Sequence, residues 1–260
     1  MIASGLELFS RYDLLVLLVQ KELKLKYKGS VLGIFWSLLN PLLMMAVYAL
    51  VFSIIFKFTI PRYPVFLLAG LLPWSFFQSS ITGSTMSVIL NGHLVRRVKF
   101  PIDFLPTTTV LANLFNVLPS FAVLLVFTFF YRQPVGLPLL ALPLLLALQV
   151  VFTIGLGLGL SALTVYFRDL EHLIPIGITV WFYGTPVIYP LSIFAGHPNV
   201  HALLLLNPMT WLITAYQDIW HENRWPDPVQ LGIFALCALA SWIAGTLIFR
   251  RLEGRFAEEV

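Results

Sequence analysis

Six apolar stretches dominate this chain, at roughly 32–56, 65–90, 108–131, 137–165, 174–190 and 230–249. A helix needs about 20 apolar residues to cross the hydrocarbon core of a bilayer, and each stretch meets or approaches that length. The expected fold is therefore an all-α polytopic membrane protein of six transmembrane helices. The composition agrees. Of 260 residues, 59% are hydrophobic and 11% are charged, against about 25% charged in a soluble domain. The mean hydropathy is +0.89. A soluble fold of this size could not hide so much apolar side chain.

Two of the stretches carry their own interruptions. The first contains Asn40-Pro41, which predicts a kink because proline has no N–H to donate. The fifth holds Pro175, Gly177, Gly184, Pro186 and Pro190. Broken backbone at membrane depth survives only where protein or a water-filled cavity satisfies the freed groups. Residues 200–222 could form a seventh span, but Asn207-Pro208 divides them into a short apolar piece and a second helix with Pro208 near its start.

Charge decides the parity. With six spans, twelve Lys/Arg fall on one side: Arg11, Lys21, Lys24, Lys26, Lys28, Arg96, Arg97, Lys99, Arg168, Arg250, Arg251 and Arg255. Lys57, Arg62, Arg132 and Arg224 fall on the other. The positive-inside rule makes the first side, with both termini, cytoplasmic. Residues 191–228 then read as an extracytoplasmic, partly re-entrant pair of short helices. The net charge of +4 is explained by these cytoplasmic loops and implies no nucleic-acid partner.

Residues 6–28 are too poor in apolar side chains to span. Leu14, Leu15, Leu18, Glu22 and Leu25 fall near helical spacing, with Lys21, Lys24 and Lys28 toward another face, as in an amphipathic helix lying at the membrane interface. Residues 1–31 are thus expected as a cytoplasmic interface helix and 32–260 as the six-span domain. The N-terminal run "LLVLLV" is short, lacks an A-x-A site and is followed by lysines, so no cleavable signal is expected. The stretch "NGHLVRRVKFP" (91–101) is a compact basic segment closed by Pro101 between two apolar runs.

Some motifs point to packing. In "IGLGLGLSAL" (154–163), Gly155 with Gly159 and Gly157 with Ser161 form small-xxx-small faces that let helices approach closely. Cys237 lies in an apolar run, and a lone cysteine can form no disulfide within the chain. Other motifs are open to two readings. Trp181, Phe182 and Tyr183 sit in mid-stretch rather than at a membrane edge. They are either packing residues or a surface on which sugar rings stack. Met44, Tyr48, Phe52 and Phe56 recur every four residues along the first stretch. His197, His201 and His221 lack the spacing of a zinc site, since Pro198 breaks the face the first pair would share.

The sequence has no G-x-x-x-x-G-K-[ST] phosphate loop, and its confident spans hold no acidic residue for a proton relay. A transporter built this way needs energy from a partner. A passive channel or lipid scramblase is the second class. A membrane glycosyl- or phosphotransferase is the third, with Asp169 and Glu171 the only near acidic pair at a membrane face.

Four segments carry a family resemblance: "KLKYKGSVLGIFWSLLNPLLMMAVYALVF" (24–52), "YFRDLEHLIPI" (166–176), "TPVIYP" (185–190) and "NPMTWLITAYQDI" (207–219). In this order they resemble permeases of type-2 ABC exporters, in the branch that exports O-antigen, capsule or teichoic acid. The resemblance implies a homodimer in the cytoplasmic membrane with two separate ATP-binding subunits, which bind the ATP and Mg. No cofactor is expected on this chain. The substrate implied is lipid-linked polysaccharide, most like O-antigen. The channel would be lined by Trp36, Tyr48, Phe52, Trp181, Phe182 and Tyr183. Coupling to the ATPase would fall to Leu94, Val95, Arg96, Arg97, Lys99 and Phe100. Pro41, Arg168, Asp169, Pro186, Asn207 and Pro208 would shape the gate. Where members are expected to carry an Arg in the helix after "NP", Gln217 stands near that place here, so no charge role passes to it.

Overall fold

The computed structural model describes residues 5–30, 32–33, 35–52, 60–97 and 101–259, the side chains of 5–12, 97 and 257 excepted. Among them there is no strand. The helices are α1 (Gly5–Tyr27), α2 (Phe35–Leu50), α3 (Tyr63–Leu90), α4 (Gly92–Arg97), α5 (Phe104–Phe130) and α6 (Leu142–Tyr166, led in by a tight turn at Leu137–Ala141). Then come α7 (Leu170–Tyr183), α8 (Pro198–Leu205), α9 (Pro208–Gln217), α10 (Pro228–Leu252) and a terminal turn α11 (Phe256–Glu259).

Among the described residues, four segments are long and apolar enough to cross a membrane: Tyr63–Leu90, Phe104–Phe130, Leu137–Tyr166 and Pro228–Arg255. The expected six are not all matched. α2 has 16 residues, and the rest of the first expected span, 53–59, lies outside the described residues. α7 has 14 residues, which at 1.5 Å per residue reach about 21 Å of a core about 30 Å thick. It stops because Gly184, Pro186 and Pro190 follow, and the two prolines offer no N–H to extend the helix. Residues 191–228 form α8 and α9 with a turn at Asn207, as two short helices rather than one long one.

α3 is the central post. In its most apolar stretch 78% is buried, against 17% in α10. α5 and α6 flank α3, and α10 lies along α6. The α6–α10 seam uses the glycines: a Cβ on Gly245 would overlap the Gly155 carbonyl, and one on Gly155 would overlap the backbone at Ser241 and Trp242. Gly157 faces the other way, where an added Cβ would meet Ser84 of α3 at 3.0 Å. The two small faces thus serve two neighbours.

Buried hydroxyls are handled within the helices. Thr85, Thr109, Thr128, Thr153 and Thr164 each donate to the carbonyl four residues earlier. This is the local partner available where no water reaches. A longer network crosses the centre. Tyr216 of α9 donates to Gln149 Oε1 at 2.9 Å, and Gln149 Nε2 donates to the Pro73 carbonyl at 2.7 Å. Both side chains are fully buried.

Candidate functional site

One face of α3 is not apolar. Ser75, Gln78, Ser79, Thr82 and Gly83 follow the i, i+3, i+4, i+7, i+8 pattern, and none of them is buried. The other faces of the helix pack against α5, α6 and α9. The polar face, with α2 and α7, bounds a cavity of about 510 Å³. α2 contributes Asn40, Pro41, Met44 and Tyr48, and α7 contributes Ile178, Thr179, Phe182 and Tyr183. A second cavity, about 470 Å³, continues past Trp36, Ser37 and Asn40 to Lys26, Tyr27 and Asn116. A third, about 500 Å³, lies where α1 crosses α3 and α5. Ser79 lines all three, so they form one track along α3.

The aromatic residues singled out from the sequence fall into two groups. Tyr48, Phe182 and Tyr183 come together at the first cavity, with ring centroids 6.0 Å apart for Tyr48 and Phe182 and 5.3 Å for Phe182 and Tyr183. Tyr183 is 60% exposed, while Phe182 is buried and backed by Trp74. Phe52 packs on Tyr48, and Trp36 is exposed in the second cavity. Trp181 is different. Its indole N–H donates to Asn207 Oδ1 at 2.7 Å and its ring meets Phe77 edge-on. Its polar atom is therefore already committed to a protein partner.

Asn207 is a knot. Its Oδ1 also accepts from the Met209 N–H at 3.0 Å, capping α9, with Pro208 at the first helical position where a missing N–H costs nothing. Its Nδ2 donates to the Gly184 carbonyl and to Thr185 Oγ1 at 2.9 and 2.8 Å. The α8–α9 turn is thereby tied to the end of α7. Pro186 is buried, and its carbonyl accepts from Gln217 Nε2 at 2.8 Å, so Gln217 acts here as a neutral clamp. Gly70 of α3 leaves room for this loop, since a Cβ there would lie 2.9 Å from the Val187 carbonyl.

At the far end of α9, Asp218 pairs with Arg224 at 2.7 Å. Burial pushes the Asp218 carboxyl above its ordinary range, and Arg224 opposes that shift. His221 Nε2 lies 2.8 Å from the Pro61 carbonyl. Arg62 bonds Gln133, which in turn donates to the His221 carbonyl. This end of α9 is fastened to the start of α3 and the end of α5.

At the opposite end, α1 is fastened to α5. Lys26 Nζ donates to Asn113 Oδ1 at 2.9 Å and the Tyr27 hydroxyl to Asn116 Oδ1 at 2.7 Å. The compact basic segment 91–101 holds α4, of six residues. Val95 is buried with Val88, Leu105, Leu158, Phe249 and Phe256, and so anchors α4 instead of projecting from it. Leu94 packs at the edge of that cluster, and Arg96 is exposed. The Arg97 side chain, Lys99 and Phe100 lie outside the described residues. Arg168 is exposed and reaches the Glu259 carbonyl at 3.5 Å, while Asp169 stands at the N-cap of α7 and bonds its first turn through the backbone carbonyl, not the side chain. Pro41 is buried inside α2.

Sequence reasoning missed the α3 stripe, the Lys26 and Tyr27 clasp and the Gln149 bridge. The stripe had a signal: five small or polar residues at helical spacing within 75–83.

The description "ABC-2 type transporter" matches residues 13–220. The O-antigen export system permease protein RfbA of Myxococcus xanthus is 39% identical over 254 residues, covering 98% of each chain. Its namesake in Klebsiella pneumoniae is 34% identical over 248 residues, covering 95% of each. The polysialic acid transport protein KpsM of Escherichia coli is 24% identical, covering 90% of this chain and 91% of its own. With a polar, aromatic-flanked track inside an apolar helical bundle, and with these relatives matching nearly end to end, this chain belongs to the ABC-2 type transporter family, as a permease.

Proposed function

We propose that the chain is the membrane subunit of an ATP-driven exporter of lipid-linked polysaccharide, O-antigen before capsule or teichoic acid. The observation that carries this reading is the track along α3, which offers hydroxyl and amide groups beside Tyr48 and Tyr183. Sugar hydroxyls need hydrogen-bond partners in a bilayer, and aromatic rings let C–H faces slide past. The relatives named for O-antigen export support the choice of polymer.

The working unit in this reading is a homodimer. Leu173, Ile176, Val180 and Tyr183 of α7 are exposed along one stripe beside the track. A second copy facing that stripe would close the channel. ATP and magnesium are held by two ATP-binding cassette subunits, which dock at α1 and at the segment 91–101. Arg96 supplies exposed charge there, and Arg97, Lys99 and Phe100 are assigned to the same surface. An exposed ion pair contributes only about 0–1 kcal/mol, so apolar contact must carry most of the docking. The subunit spans the cytoplasmic membrane with both termini inside, a reading that the distribution of basic residues supports.

The test uses inside-out vesicles holding this chain with a cognate ATPase. ATP should drive labelled lipid-linked polysaccharide into the lumen. Gln78→Leu with Thr82→Leu should slow transfer about thirtyfold, since each removes a partner worth about 1 kcal/mol from the track. Equal transfer without ATP would turn the reading into a passive channel. Unaltered transfer by the double variant would remove the track from it.

A further inference from the structure

The cavity where α1 crosses α3 and α5 has two kinds of wall. Leu18, Leu25 and Leu90 line it, and Leu25 and Leu90 are exposed. Lys26, Thr108 and Asn113 also line it and are rich in hydrogen-bond donors. Lys26 is exposed as a residue, yet its amine reaches the buried Asn113 and spends one of three N–H groups there. The surrounding protein pushes that amine below its ordinary pKa, while Glu22 pushes it back up.

Two buried polar groups, one lining this cavity and one the adjoining cavity, have no partner among the described residues. One is the Thr108 hydroxyl, on a residue 4% exposed, and the other is the Asn116 side-chain NH₂, on a residue 6% exposed. Thr109, beside Thr108, gives its hydroxyl to the Leu105 carbonyl in the ordinary intrahelical way; Thr108 does not. Asn116 lines the adjoining cavity, which shares Lys26, Ser79 and Asn113 with this one. Buried polar groups are nearly always bonded, so a cluster of unused donors beside a cation is the signature of an absent acceptor.

We propose that this cavity binds the phosphate or diphosphate of a lipid-linked substrate, held by Lys26, Asn113 and Thr108, with the lipid chain against Leu18, Leu25 and Leu90. The proposal rests on the export reading above. An anion fits the donors, and Lys21 and Lys26 outweigh the one carboxylate, Glu22, on the rim. Lysine holds phosphate as a point charge, without demanding a fixed fork geometry. The exposed leucines favour a phosphate that arrives on a hydrocarbon chain over one free in water. Ser79 and Gly83 also line the main cavity, so a headgroup seated here delivers its sugar directly to the track.

The full-length chain in phosphatidylcholine nanodiscs tests the site by equilibrium binding of a labelled polyprenyl diphosphate. Lys26→Met should weaken binding about tenfold, Thr108→Val about threefold, and Lys26→Arg should hold close to wild type. Binding of the matching polyprenol, which lacks phosphate, should be equal in all four proteins. Thr108→Val removes an unbonded hydroxyl, so its melting temperature should stay level or rise, which separates lost binding from lost folding. Undiminished binding by both Lys26→Met and Thr108→Val overturns the site. So does inorganic diphosphate binding as tightly as the polyprenyl form, which would make it a free-anion site. Equal displacement by phosphatidylglycerol would make it a bulk-lipid site and overturn it too. A wild-type complex that binds the lipid diphosphate yet exports nothing with ATP refutes the export reading and spares the site. Variants that export normally, with unchanged binding, refute the site and spare the export reading.

Discussion

Replacing Asn207 by alanine should loosen the joint between α7 and α9 more than any other single change near the track. Four hydrogen bonds disappear, to Trp181 Nε1, Met209 N–H, the Gly184 carbonyl and Thr185 Oγ1. Losing the cap costs about 1 kcal/mol, and each partly buried partner left unbonded adds about 1 kcal/mol, for roughly 3–5 kcal/mol in all. In a chain of this size that corresponds to a fall in melting temperature of about 6–15 °C. Thermal unfolding of the detergent-solubilised protein, followed by fluorescence, reads it directly. Asn207→Ser keeps a capping oxygen but cannot span both partners, so it should fall between alanine and wild type. Asn207→Asp keeps the acceptor but sets a carboxylate against the Gly184 carbonyl, and should be no better than alanine. An alanine variant within about 2 °C of wild type would refute the joint. An aspartate variant as stable as wild type would refute the roles given to the two side-chain atoms.

Gly245→Ala should drive α10 from α6, at a cost of about 1–3 kcal/mol or more, because its Cβ would collide with the backbone of Gly155; unaltered thermal stability would show that the helices part freely. Arg224→Met should lower stability at neutral pH and make it recover on acidification. Asp218 already binds its proton more readily folded than unfolded, so stability falls as pH rises between the two pKa values, and losing Arg224 widens that interval. Melting curves from about pH 4 upward check this, and Arg224→Met with Asp218→Asn should flatten the dependence. Tyr183→Leu should slow polymer export while leaving stability nearly unchanged, since the ring is 60% exposed. Trp181→Phe should lower stability by about 1 kcal/mol through the lost Asn207 bond. A reversed pattern in export and melting assays would exchange the roles of the two aromatics.

Much of the fold is legible in the sequence because lipid imposes simple rules. The long helices α3, α5, α6 and α10 follow from apolar length alone. Asn207-Pro208 marks a cap followed by a first-turn proline, and α9 starts there. α2 and α7 were harder. Pro41 can kink a helix or stop it, and for α7 only the neighbours decide how far past Pro175 it continues. The site was legible in part. Tyr48 and Tyr183 stand at the cavity, but nothing in "WFY" tells which ring faces inward, and Asn207 takes the indole. The α3 stripe escaped because Ser, Thr and Gly barely lower the hydropathy of a long window, and three other faces of that helix are deeply packed. Lys26 and Asn113 are 87 residues apart in sequence, and only the fold brings them together.

The Tyr216–Gln149–Pro73 bridge bears on how such a permease could move. It joins α9, α6 and α3 through two side chains that no water reaches. Interhelical hydrogen bonds in bundles of this kind are individually worth about 0.6–2 kcal/mol, and here both side chains are fully buried. Sliding any one of the three helices breaks the chain for all of them. With the glycine seam holding α10 to α6, these four helices behave as a stationary frame. α7 is fastened to this frame at its C-terminal end, through Asn207, while α2 meets α5 through the Ser120 hydroxyl on the Ser37 carbonyl at 3.1 Å, and α1 is held to α5 by two side-chain clasps. A cycle built on this chain would open like a shutter on a fixed jamb, with α1 and α2 as the moving leaf and α7 turning about its fastened C-terminal end. Work delivered at α1 would then reach the track without unpacking the core.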